Sequence, residues 1–165
     1  MCVLNDSQIS LLVREGKLIV SGFSEPSLTP NGYDLRVGTV MLPDSGSEEM
    51  ERASVPSLSR FAVSTLETVS LPSDMTAQLW IRSSYARKGI LASFGKVDAG
   101  FKGTLTLAFF NSSSSEFIIS KGDRMVQIVF ERMCDRAEKA YDIRSGHYQG
   151  QKDITLDYGS VGRSS

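Results

Sequence analysis

The amino-acid sequence predicts an all-β domain, a sandwich or closed barrel, led by one short helix. Three observations carry that expectation. Short segments of alternating apolar residues recur along the chain with Gly, Pro, Asn, Asp or Ser between them. Helical spacing is confined mainly to the first residues. The 165 residues, 41% of them hydrophobic, suffice for one sizeable core and are short for two. A single domain over residues 1–165 is expected, with residues 145–165 a polar, Gly-containing and mobile tail.

Taken in order, Asn5 or Asp6 can cap a short helix running to Val13, with Ile9, Leu11, Leu12 and Val13 as its apolar side. Residues 17–20 read as a strand. Pro26, Pro30, Asn31 and Gly32 impose turns before an extended segment over 33–37. Residues 43–59 mix acids, prolines and serines without a period and read as an exposed excursion. Strands resume at 61–65 and 68–71, are broken at Pro72-Ser73-Asp74, and continue at 76–81. Residues 103–110, with Leu105, Leu107 and Phe109 alternating, form the clearest strand. Strands at 117–119 and 125–130 follow, separated by the tight turn Lys121-Gly122-Asp123. Many short strands at such spacing point to a closed or doubly layered β architecture.

Charge and composition narrow the function. A formal net charge of −1 argues against a protein that holds nucleic acid through phosphate neutralisation, so no nucleic-acid partner is expected. No run approaches the length of a membrane span, and the first ten residues lack the basic and apolar regions of a signal peptide. No membrane partner and a cytoplasmic location are the resulting expectations. Cys2, Cys134 and the single His147 do not make a zinc spacing.

One polar turn stands out. Arg82, Ser83, Ser84 and Arg87 bring two guanidinium forks and two hydroxyls together, donors that suit phosphate oxygens. A solvated surface turn is the competing reading of the same residues. Asp98, before Ala99-Gly100, can orient a water as general base or merely cap a loop. Asp34 can order a hydrated magnesium ion, which needs few protein ligands beside substrate phosphates. Phe101 can pack on a sugar or enter the core, and Gln127 can reach a phosphate, an interface or solvent.

Four segments give these residues a common context: Gly32-Tyr33-Asp34-Leu35; Arg82-Ser83-Ser84-Tyr85-Ala86-Arg87-Lys88-Gly89-Ile90; Val97-Asp98-Ala99-Gly100-Phe101-Lys102-Gly103-Thr104-Leu105-Thr106-Leu107; and Gly122-Asp123-Arg124-Met125-Val126-Gln127-Ile128. In this order, and continued by His147-Tyr148-Gln149-Gly150-Gln151-Lys152, they resemble the dCTP deaminase family within the dUTPase superfamily. The resemblance implies a dUTPase-like distorted β-barrel or jelly roll with a short N-terminal helix. It also implies a homotrimer with sites between subunits, and a deoxyribonucleoside triphosphate substrate with Mg2+. By that resemblance Arg82, Ser83, Ser84 and Arg87 clamp phosphates and Asp98 contacts the deoxyribose and positions water. The hairpin from Phe101 to Leu107 forms the pyrimidine pocket, Gln127 holds the triphosphate, and Tyr141 and Gln151 approach from the tail.

The sequence departs from the family at Ala108, where its deaminases carry a glutamate on the strand. Alanine has no group that accepts or donates a proton. The expectation that follows is a member of the archaeal dUTPase-like branch, a dUTP diphosphatase (dUTPase) converting dUTP and water to dUMP and pyrophosphate with magnesium. The alternatives are a dCTP deaminase, a bifunctional dCTP deaminase and dUTP diphosphatase, and a non-catalytic nucleotide-binding module.

Overall fold

The computed structural model describes residues 2–44, 46 and 48–156. Asn5 opens the chain's first helix, α1 (Asp6–Arg14), through a capping box. Its side chain accepts from the Gln8 amide at 2.9 Å while the Gln8 side chain accepts from the Asn5 amide at 3.1 Å. Gly16, at φ +72°, turns the chain out of the helix. Ile9 and Leu12 face the core, whereas Leu11 is more than half exposed, so the apolar side is narrower than expected.

Before and after this helix run β1 (Cys2–Val3), β2 (Leu18–Ser21), β3 (Leu28–Thr29) and β4 (Gly32–Met41). The acidic excursion then carries β5 (Glu49–Met50) and β6 (Arg52–Val55), followed by β7 (Ser59–Thr65), β8 (Thr68–Ser70) and β9 (Met75–Ile81). A one-turn helix α2 (Ser83–Ala86) leads to β10 (Ile90–Ala92), β11 (Lys96–Val97), β12 (Lys102–Gly103) and β13 (Thr106–Asn111). The chain ends in β14 (Phe117–Ser120), β15 (Arg124–Arg132) and the short α3 (Tyr141–Arg144).

The main sheet runs β10-β13-β7-β4-β15-β9-β11, with β1, β3 and β5 added at its flanks. Two small sheets, β12-β8-β2 and β14-β6, curl against it and give a half-barrel. The all-β class and the N-terminal helix are therefore as expected. β4 is buried along nearly its whole length because it is central and covered on both faces, and it continues to Met41, beyond the 33–37 segment read from sequence.

Two apolar clusters fill the fold. Tyr33, Leu35, Val69, Ile128 and Phe130 pack under α1. Val37, Val40, Phe61, Phe109, Ile119 and Met125 fill the other side. There Phe61 stacks on Phe109 at 5.0 Å between ring centroids and meets Phe117 at 6.1 Å. The excursion over 43–59 is not simply exposed. Ala53 and Val55 are buried because β6 pairs with β14, a long-range partner that no local period reveals.

The strand expected over 103–110 is divided at Thr104 and Leu105. β12 belongs with β8 and β13 with β7, so the chain changes sheets between them. Gly103, at φ +156°, permits that crossing, and a Cβ there would stand 3.0 Å from the Gln151 backbone. Beside it, buried Glu67 accepts from Tyr33 Oη at 3.1 Å, from the Arg36 amide at 2.9 Å and from Arg36 Nε at 2.7 Å. Both ends of its carboxylate are thus satisfied away from water.

Two predictions follow from this packing. Phe61→Ala should lower unfolding free energy by about 3–5 kcal/mol in chemical denaturation, the usual cost of emptying a buried aromatic site. Burial, reinforced by the Glu67 charge, pushes the Tyr33 hydroxyl from 10.0 to about 12. An acid whose folded value is raised keeps its proton in the folded state after the unfolded chain has lost it. Stability should therefore fall as pH rises from 10 to 12. Tyr33→Phe should make that fall shallower in pH-dependent denaturation curves, and an unchanged slope would refute the assignment.

Candidate functional site

Val97 pairs with Ala77 across β11 and β9, which places the following turn at one end of the sheet. That turn is closed by the Phe101 amide donating to the Asp98 carbonyl at 3.1 Å, and it is held to Leu71 from both sides. Gly100, at φ +86°, is needed there because a Cβ would stand 2.6 Å from Ala140 Cβ. The turn leaves Asp98 exposed and drives Phe101 inward, where its ring meets Tyr141 edge-on at 5.5 Å.

Around this turn lies a cavity of about 600 Å³, in the range that takes a small organic ligand. Asp98, Phe101, Leu107, Tyr141 and Gln151, five of the residues singled out in the sequence, line it together. Leu107 serves as floor, since its side chain is buried in the core. Ala108 lies on the exposed face of β13 and opens onto the same cavity. Thr104, Thr106, Phe94, His147 and Tyr148 are also among the lining residues. Thr106 could have been found from alternation, because it shares a strand face with Ala108. His147 and Tyr148 arrive only through the path of the C-terminal segment.

The arginine-serine turn stands elsewhere. Arg82 follows the far end of β9, and the residues from Ala77 to Arg82 span roughly 17 Å at the rise of a strand. Its guanidinium is held by Asp34 Oδ2 at 3.1 Å and donates to the Arg124 carbonyl at 2.9 Å. Ser83, Ser84 and Arg87 are exposed at the same rim. Gln127 donates to Thr29 Oγ1 at 2.7 Å, so its amide supports β3 in this state. Within one chain the expected residues thus form two groups, a cavity and a cationic rim.

Asp34 does not fit the role of magnesium ligand. It is 4% exposed and faces Arg82, with Arg124 Nη1 4.0 Å away. Burial pushes its carboxyl above the ordinary value, and the two guanidiniums offset this in part. Its carboxylate is instead paired with the Arg82 guanidinium. Among the described residues no group of three or more His, Cys, Asp or Glu side chains could hold a metal ion. No helix among them is long and apolar enough to cross a membrane.

Comparison with known proteins gives this geometry a family. A family model described as dCTP deaminase-like matches residues 3–133. A protein of Thermococcus gammatolerans named dCTP deaminase is 41% identical over 145 residues, covering 86% of this chain and 90% of that one. One of Pyrococcus horikoshii with the same name is 42% identical over 143 residues, covering 85% and 90%. A protein of a Sulfurihydrogenibium species, named dCTP deaminase, dUMP-forming, is 33% identical over 173 residues, covering 93% and 94%. Among solved structures, the dCTP deaminase of Agrobacterium tumefaciens superposes with a TM-score of 0.68 at 23% identity. It covers 79% of this chain, which spans only about half (48%) of that longer one. A dUTPase of Staphylococcus bacteriophage 80alpha reaches 0.51 at 19% identity, over 70% of this chain and 90% of that one. These two structural likenesses bear on the fold.

These relatives correct the expectation drawn from Ala108. A dUTPase-like branch, with magnesium-dependent dUTP hydrolysis as the activity, is overturned by relatives up to 42% identical that are named dCTP deaminase. The physical reason is that one alanine removes one proton carrier but does not decide which nucleotide the cavity takes. The Asp98 carboxylate and the Tyr141 hydroxyl line the same cavity. The chain belongs to the dCTP deaminase-like family.

Proposed function

We propose that the protein is a dCTP deaminase, converting dCTP and water to dUTP and ammonia in the cavity beside Asp98. The observation that supports this most directly is the family match over residues 3–133, which takes in the whole barrel side of that cavity. Water adds to C4 of the cytosine ring, the ring nitrogen next to C4 gains a proton, and the amino group leaves as ammonia. A group in the cavity must therefore take a proton from water and return one to the departing nitrogen. Among the described lining residues Asp98 is the carboxylate. In this reading it carries that proton, directly or through one water, because Ala108 leaves the neighbouring strand without an acid. Phe101 and Leu107 supply the apolar bed for the base, and Tyr141 and Gln151 close it from the C-terminal side.

The cationic rim supplies the triphosphate contacts in the same reading. Arg82, Ser83, Ser84 and Arg87, beyond the far end of β9, and Gln127, opposite Trp80 on β15, do not line the cavity of their own chain. A homotrimer that sets the rim of one copy against the cavity of the next joins the two groups. Magnesium then travels with the substrate triphosphate, where it needs no dense protein ligand set. A cytoplasmic enzyme drawing on free deoxynucleotides is the setting this implies.

A second reading, a bifunctional enzyme that also hydrolyses the dUTP it makes, is favoured by the name of the Sulfurihydrogenibium relative, which aligns over 93% of this chain. It differs in product: pyrophosphate is released from dCTP together with ammonia.

Incubation with dCTP and assay of ammonia tests the main reading, and absence of ammonia from dCTP refutes it. Asp98→Asn should lower ammonia release by about 10²–10⁴-fold, the usual contribution of a general acid or base. Ala108→Glu should raise it, by adding a carboxylate on the cavity face of β13. For the shared site, Asp98→Asn and Arg87→Ala proteins, each impaired alone, should regain turnover when mixed and allowed to exchange subunits. A monomeric mass in solution would overturn that arrangement.

A further inference from the structure

The acidic excursion between β4 and β6 has no part in the site described so far, yet it touches the chain's last described residues. Residues 149–156 run as a strap along the cavity edge. The Gly150 amide donates to the Lys102 carbonyl at 2.7 Å, and the Thr104 amide donates to the Gln151 carbonyl at 2.9 Å. Further on, the Thr155 amide donates to Thr106 Oγ1 at 3.0 Å. Gln151, Thr155 and Leu156 then form one wall of the cavity. These bonds tie the strap to the very segment, 102–106, that borders the space for the base.

The strap's end is secured away from the cavity. Ile154 is 9% exposed and packs against Met41 and Ala62. Its amide donates to Glu49 Oε1 at 3.0 Å, while Thr39 Oγ1 donates to Glu49 Oε2. Thr39 is in turn bonded to Ser64 on β7, its amide donating to Ser64 Oγ at 3.0 Å. Glu49 itself is fixed by β5, which pairs Met41 with Glu49 on the central strand. One carboxylate therefore joins the rigid sheet at one oxygen and the strap at the other.

We propose that Glu49 is the latch of this strap, a positioning residue that keeps residues 149–156 closed on the cavity and so controls how tightly nucleotide is retained. The role of the cavity rests on the deaminase reading; the latch itself does not. Closure of this kind excludes water from the reacting ring and slows escape of the ligand. Opening requires loss of the Glu49 contact and withdrawal of Ile154, with the barrel left intact.

Hydrogen exchange of the full-length protein tests the latch without reference to activity. In Glu49→Ala, amides of residues 150–155 should exchange about tenfold or more faster, the effect of losing a charge-assisted hydrogen bond. Amides of β4 and β15 should be unchanged. Glu49→Gln should restore protection, since its carbonyl still accepts from Ile154 and its amide can donate to Thr39. Unchanged exchange in Glu49→Ala, equal loosening of the whole barrel, or a Gln variant no better than the Ala variant would each overturn the proposal. With dCTP, Glu49→Ala should raise KM by about the same tenfold factor and leave kcat near the wild-type value. A faster-exchanging strap with unaltered KM would overturn its role as gate. Failure of the deaminase reading looks different: the wild-type protein releases no ammonia while the exchange results stand.

Discussion

The position of β15 between β4 and β9 governs the rest of the molecule. Its register sets Gln127 opposite Asp34 on one side and opposite Trp80 on the other. Asp34 and the start of the arginine-serine turn are thereby brought to the two flanks of one strand. A carboxylate this far out of water is tolerable only with opposite charge beside it. Arg82 and Arg124 supply that charge, and the need for it holds Arg82 at the rim. The same β9 that leads into Arg82 also pairs with β11 and so sets the place of Asp98. One strand order therefore fixes both groups of residues and the distance between them.

The cavity has two walls of different character. Its barrel wall is built on strands with long ladders and buried neighbours, such as β13 against β7. Its C-terminal wall has no strand ladder among the described residues; it rests on scattered hydrogen bonds, several of them to side chains such as Gln149, Thr106 and Glu49, on the Phe101–Tyr141 edge contact and on the buried Ile154 side chain. Segments with few buried contacts open at lower free energy than the core. A site that must admit and release nucleotide is well served by one stiff wall and one releasable wall.

Ala108 shows how a local chemical argument can be sound and its functional conclusion still fail. The residue faces the cavity and carries no proton-exchanging group. What did not follow was the choice of reaction, because that depends on every group in the cavity and on the ligand it admits. Family relatives supplied the correction.

Much of the fold could be read from local pattern. The Asn5 cap and the Ile9 and Leu12 spacing determined α1; Gly, Pro and Asp clusters marked the turns; alternation marked β7, β9, β13 and β15. The motif residues Arg82, Asp98 and Gln127 were identifiable by type, as were Tyr141 and Gln151 through family resemblance. Tertiary structure alone decided which of these meet. It divided the 103–110 strand between two sheets, buried β6 against distant β14, turned Asp34 toward guanidiniums and joined Glu49 to Ile154 across the length of the chain. Those outcomes depend on pairings between residues far apart in sequence, for which side-chain period carries no information about the partner.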